Sequence, residues 1–343
     1  MFFRKASYIL PIILVYLIDL QVLLAQDPIF SQFYSAPLQI NPAFAGLSEN
    51  PRLGLIYRNQ WPFVDQSFKT YVTYNLAYDQ YFSKLRSGFG LELTADDAGD
   101  GLIKTIKVAG MYGYKIPLND NGHVIKGGLE LGFVQVNYGW DKFIFGDQID
   151  PATGYLSPGG LPILSKESRP LETNKSYFDA GVGLLYYSPE YYLGISAKHF
   201  NSPDIGILQV NQNGFGGLPV RWGVHGGYSF RLDRNSRGTA GLLSPGIQIV
   251  SQSSFFQINL GTQYQFSTVF AGLWYRHARQ NADALIGVLG FRKDSWKLAY
   301  SFDYTLSSLG IGLGGSHEIS ILFNKVTNNR KKKNIQDCFE AFN

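Results

Sequence analysis

Few residues of this chain have types and spacings that chemistry could use. His225 and Ser229 lie four apart on one face of an alternating segment. A serine nucleophile needs its base within hydrogen-bond reach. Four residues of extended strand span about 13 Å, so the two cannot work together. Asp96-Asp-Ala-Gly-Asp-Gly101 has the outline of a calcium loop. However, Ala98 occupies a ligand position, and Lys107 stands where a bidentate glutamate belongs. A tight turn between strands explains that stretch better. The histidines at 123, 199, 225, 277 and 317 have no spacing suited to zinc, and Cys338, alone, cannot form an internal disulfide. No G-x-S-x-G and no phosphate loop occurs. The chain is read as a non-enzyme, with no catalytic, cofactor-binding or metal residues and no cofactor.

The dominant pattern is structural. In Trp296-Lys-Leu-Ala-Tyr-Ser-Phe-Asp-Tyr-Thr-Leu306, every second residue is large and apolar, and those between are small, polar or charged. Successive side chains of a strand point to opposite faces, so this segment has one apolar face and one polar face. The pattern recurs in Phe68–Tyr78, Val220–Arg231 and Phe256–Phe266. Fourteen such segments run from 52–60 to 314–324. No stretch is left over to cover a sheet, which points to lipid outside and water inside. The expected fold is all-β: a transmembrane antiparallel barrel of about 14 strands in a bacterial outer membrane, closed by pairing of its first and last strands. Only 16% of residues are charged and 15% are aromatic, against about 25% charged in soluble domains. A net charge of +4 is too weak a bias for nucleic acid.

The remaining segments give the organisation. Residues 1–25 read as a signal peptide: Arg4 and Lys5, an apolar run from Tyr8 to Ile18, and a cut after Ala25. Residues 26–50 carry three prolines and do not alternate. They are expected to form a periplasmic segment whose Phe30, Phe33, Tyr34, Ile40 and Phe44 pack into the periplasmic mouth of the barrel or on a periplasmic partner. Residues 51–324 form the barrel. Residues 325–343 form a basic periplasmic tail, with Arg330-Lys-Lys-Lys333 holding the terminus in water. An even strand count puts both ends in the periplasm, with short turns there and the long loops Gly139–Lys175 and Phe200–Leu218 outside. Glu92, Glu130, Asp179, Lys198, Arg221, His225, Lys297 and Asp303 are expected to line the lumen.

Four blocks carry a family resemblance: Asp27-Pro-Ile-Phe-Ser-Gln-Phe33, Asn41-Pro-Ala-Phe-Ala-Gly46, Arg58-Asn-Gln-Trp61, and Ser301-Phe-Asp-Tyr-Thr-Leu-Ser307 followed by Gly315-Ser-His-Glu-Ile-Ser320. In this order they resemble the PorP/SprF family of outer-membrane proteins of the type IX secretion system. The resemblance implies a part in secretion or surface anchoring of large proteins such as adhesins, including gliding adhesins, by binding. It also implies partners among other type IX components, a large secreted cargo and outer-membrane lipid. It nominates Asp27, Phe30, Gln32, Asn41, Pro42, Arg58, Gln60 and Trp61 for partner contact. The alternating pattern alone would equally suit a porin for small solutes.

Overall fold

The computed structural model describes residues 27–48, 50–64, 70–150, 154, 163–206, 217–232, 241–279, 283–306, 311–324, 338–339 and 342. The expected signal peptide and the basic run 330–333 lie outside them.

Fifteen antiparallel segments follow in chain order. They are β1 (Arg52–Gln60), β2 (Tyr71–Phe82), β3 (Ser87–Ala98), β4 (Ile103–Pro117), β5 (Val124–Tyr138), β6 (Asn174–Tyr187), β7 (Tyr191–Lys198), β8 (Arg221–Tyr228), β9 (Phe230–Arg231), β10 (Gly241–Gln252), β11 (Phe255–Phe266), β12 (Val269–Ala278), β13 (Ala284–Lys293), β14 (Trp296–Thr305) and β15 (Ser316–Asn324). β8 and β9 both pair with β10, so they count as one interrupted strand and the ring has fourteen. The ring closes as expected, with Arg52 opposite Asn324 and Gln60 opposite Ser316. Closure leaves no sheet edge with unpaired amides in lipid.

The interruption has a cause in the neighbouring strand. Pro245 lies in β10, opposite Thr262 of β11. Proline has no N–H to donate. On its other side the pairing to β8 begins at Gly246 and the pairing to β9 ends at Leu243. Carried through the gap, this register sets Pro245 opposite Tyr228 and Ser229 opposite Ser244, so the break lies beside a residue with no N–H for the ladder.

Alternation is realised as read. Leu260 is 55% exposed on the outer surface, while Gln263 points inward at 2%. Leu53, Leu91, Leu131 and Leu289 share the outer face. Strands of β-sheet leave one end of the barrel through tight turns, such as the one holding Ser267 and that holding Asp294, both in the left-handed region. This is called the short-turn end below. Aromatic pairs mark its rim: Phe82 with Phe89, Phe89 with Tyr112, Tyr191 with Tyr228, and Trp296 with Phe323. Such girdles belong where a barrel meets the headgroups. The long connections 139–173 and 199–220 leave the other end, although Gly99–Leu102 and Ser253–Ser254 are tight turns there too. Among the described residues no helix is long and apolar enough to cross a membrane.

Leu260→Arg is expected to destabilise the barrel by about 2–4 kcal/mol in refolding titrations, because it carries a charge to the lipid face. Gln263→Leu should change stability less. The reverse order would mean that the register is wrong.

Candidate functional site

A fourteen-stranded ring is wider than the eight-stranded rings that side chains alone can fill. Here the amino-terminal segment supplies the filling. Residues 30–38 and 40–46 are buried inside the barrel. They fold as a 3-10 turn at Phe33–Ser35, one α-helical turn at Pro37–Ile40 and a second 3-10 turn at Pro42–Phe44. Two of these start with proline, which is preset for a first helical position. The expectation of packing at the mouth is corrected: the segment, called the plug below, occupies the lumen itself. Its Asp27 end lies toward the long loops, against His199 and Arg221, and its Gly46 end lies near the short turns, against Asp79. Aromatic side chains with no lipid-facing strand to join are buried here instead.

Three polar clusters tie the plug to the wall. In the first, Glu318 of β15 accepts the backbone N–H groups of Ser31 at 2.9 Å and Gln32 at 2.8 Å. Arg58 pairs with Glu318 at 3.1 Å and with Asp303 at 3.5 Å, and Arg276 pairs with Asp303 at 2.8 Å. The Gln32 amide donates to Ser301 and accepts from Ser320. Two arginines thus balance two carboxylates within one buried set. A buried charge is tolerable only when paired and hydrogen-bonded in this way.

In the second cluster, His199 bridges Asp27 and Asp179, each at 2.8 Å. Asp179 also meets Lys107 at 2.8 Å, Lys107 meets Glu130 at 2.6 Å, and Glu130 meets Lys198 at 2.8 Å. Burial works against a charged His199, but Asp27 and Asp179 overcome it and raise the ring to about 9. Burial likewise opposes ionisation of Asp27, yet His199 and Arg221 hold its carboxyl well below the usual range.

In the third, the Asn41 amide nitrogen lies within hydrogen-bond distance of the Leu184 and Ile195 carbonyls and of His225 Nε2. The Asn41 side-chain oxygen accepts from Ala43 N–H at 2.8 Å and caps the last turn of the plug. Lys126 donates to the Ala45 and Gly46 carbonyls, and Gly46 N–H donates to Asp79.

Glycine makes this close approach possible. Gly88, Gly113, Gly128 and Gly183 are direct cross-strand partners, one each on β3, β4, β5 and β6. Together they cut a groove straight across four strands. A methyl group at Gly88 would meet the Ala45 carbonyl, one at Gly128 the Ala43 amide, and one at Gly183 the Asn41 side chain. The opposite wall does the reverse. It sends in Phe270, Trp274, Ile286 and Val288, which share a core with Phe33 and Tyr34 of the plug. Phe33 meets Trp274 edge-on at 5.0 Å. Lys297 lies over the rings of Tyr34 and Phe270.

Six of the eight nominated residues are drawn into this packing. Phe30, Gln32, Asn41, Pro42 and Arg58 are buried, and Asp27 is tied to His199 and Arg221. Gln60 and Trp61 stand at the long-loop rim, half-buried. Gln60 accepts from Arg58, and Trp61, in the left-handed region, donates its N–H to Gly315. Glu92, Glu130, Asp179, Lys198, Arg221, His225, Lys297 and Asp303 all point inward and are buried. His225 and Ser229 serve different partners, Asn41 and the carbonyl of Cys338. Sequence reasoning missed Glu318 and Arg276 as anchors, and missed the glycine line, whose members are aligned only once the register is known.

Gly128→Ala should loosen the plug by about 1–3 kcal/mol, the scale of overpacking. Gly127→Ala on the same strand, with open space beside it, should be silent. Limited proteolysis of residues 27–46 in the assembled barrel reads the difference, and equal protection in both variants would contradict the groove. The His199 ring should titrate near pH 9. Because its pKa is raised on folding, its contribution to the plug is complete below about pH 6.5 and is lost as pH rises through 9. Asp27 has the opposite sign, losing its contribution as pH falls below about 3.8. A histidine NMR titration with a midpoint at or below 6.5 would exclude this clamp.

The described architecture can be set beside known proteins. Solved outer-membrane barrels align along most of the chain at low identity. The CymD monoaromatic hydrocarbon channel is 14% identical, covering 85% of this chain and 93% of its own, with a TM-score of 0.46. Omp33 of Acinetobacter baumannii is 8% identical, covering 81% and 99%, with a TM-score of 0.41. A Pseudomonas aeruginosa FadL homologue is 11% identical, covering 83% and 92%, with a TM-score of 0.40. Likeness at this level concerns the barrel and says nothing about transport. No curated protein matches the chain in sequence. The family described as type IX secretion system membrane protein PorP/SprF matches residues 22–323, from before the plug to the last strand. The chain is an outer-membrane β-barrel and belongs to the PorP/SprF family of type IX secretion system membrane proteins.

Proposed function

We propose that this protein supports secretion or surface anchoring of large proteins, such as adhesins, by binding and not by catalysis. The filled lumen carries this reading. Side chains and backbone of the plug meet the wall on both sides, through the glycine groove and through Trp274 and Phe270. Such packing leaves the molecule's surfaces, rather than a solute path, as the place of work. The porin alternative has no comparable support.

The long-loop end offers the better surface. Leu164 and Leu171 are 88% and 104% exposed, and Ile144, Ile149 and Phe200 are also exposed. Exposed apolar patches of this kind mark partner sites. Part of the expected patch is spent locally, because Phe143 and Phe145 pack against Trp140. Tyr155, Leu156, Ile207 and Leu208, expected in the same patch, lie outside the described residues. Gln60 and Trp61, at the same rim, are the nominated residues best placed for an exported partner, while the buried ones hold the plug. The short-turn end then faces the periplasm and the other secretion components.

Deletion of the protein should leave at least one large adhesin undelivered, as read by comparing surface and secreted proteins. Leu164→Asp with Leu171→Asp should reduce delivery without reducing barrel assembly. Normal delivery of every large surface protein, with impaired uptake of a small solute, would overturn this reading in favour of a porin.

A further inference from the structure

We propose that Cys338, Phe339 and Phe342 form a latch that holds the plug in the lumen from the short-turn end. All three are buried inside the barrel. The expected solvated tail is corrected at its end: the terminus folds back into the protein. Phe44, on the plug turn nearest the short turns, is the contact. Phe342 stacks on its ring at 5.2 Å, and Phe339 meets it edge-on at 5.8 Å. The wall completes the seat. Tyr187 lies 4.9 Å from Phe339, and Tyr192 lies 5.3 Å from both tail rings. Phe342 N–H donates to the Phe339 carbonyl, turning the tail so that both rings face Phe44 and Tyr192.

The wall also provides an anchor. Ser229, at the break between β8 and β9, donates its hydroxyl to the Cys338 carbonyl at 3.3 Å. Its own N–H still pairs with Glu190 on the β7 side. The break thus leaves a buried hydroxyl directed at the tail.

Two features of connectivity make this seat a latch and not merely added packing. The plug continues through residues 47–51 to Arg52 at the short-turn end. Its Asp27 end lies toward the long loops, beside His199. The connection to β1 therefore places the Gly46 end of the plug at the short-turn mouth. Phe339 and Phe342 are seated against Tyr192 of β7, seven strands from β15 in either direction around the ring. Seated on Phe44, the two rings stand at the end of the lumen where the plug joins β1.

Hydrogen exchange on purified protein in lipid nanodiscs tests this. The readout is the amides of Ala43, Ala45 and Gly46 against those of β14. In a chain ending at Asn324, exchange at the three plug amides should accelerate by roughly 10- to 100-fold, as expected for loss of well-packed aromatic rings. The β14 amides should not change. Ser229→Ala, which removes the anchor and leaves the core intact, should accelerate the same amides several-fold. Plug exchange within twofold of the full chain after truncation would overturn the proposal. Should the truncated chain fail to assemble, unchanged exchange in Ser229→Ala would overturn it equally.

Discussion

A closed ring of fourteen strands encloses a space that its own inward side chains do not fill, and the structure depends on how that space is occupied. Water would be one solution. Here the chain's amino-terminal segment enters, and the wall is built to receive it. One side is flattened by a line of glycines, and the other is thickened by Phe270, Trp274, Ile286 and Val288. The plug lies between them with its backbone against the glycines and its rings against the aromatics.

Electrostatics give this arrangement its specificity. Arg58, Arg276, Asp303 and Glu318 are buried together, and each would be costly alone. Removing one partner of such a set typically costs about 3–5 kcal/mol, because the remaining charge is stranded. Glu318 also receives two backbone amides of the plug, so the position of the segment is tied to the charge balance of the wall. A plug displaced by one residue would leave these carboxylate contacts unmade. The wall and the plug therefore specify each other.

The barrel was legible in the sequence because lipid makes most outward positions apolar. Leu298, Tyr300 and Tyr304 announce one face while Lys297, Ser301 and Asp303 announce the other. The two-strand nature of 218–231 was less legible, since the break at Ser229 is imposed by Pro245 on a neighbouring strand. The plug was visible only as aromatic residues in need of burial. Turns of three or four residues have no periodicity to read, so depth and direction could not be inferred. Gly88, Gly113, Gly128 and Gly183 are 15 to 55 residues apart and become one feature only through strand register. The motif residues Arg58 and Gln32 were found through resemblance, which suggested partner contact. Their partners proved to be Glu318, Asp303 and Ser301 of the same chain.

The central claim is that the barrel is filled by its own amino-terminal segment and does not conduct. Planar-bilayer conductance of the purified protein tests this most directly. The intact chain should show no sustained ionic current, and a chain lacking residues 27–46 should conduct through the emptied lumen. Steady current through the intact chain, unchanged by that deletion, would contradict the account.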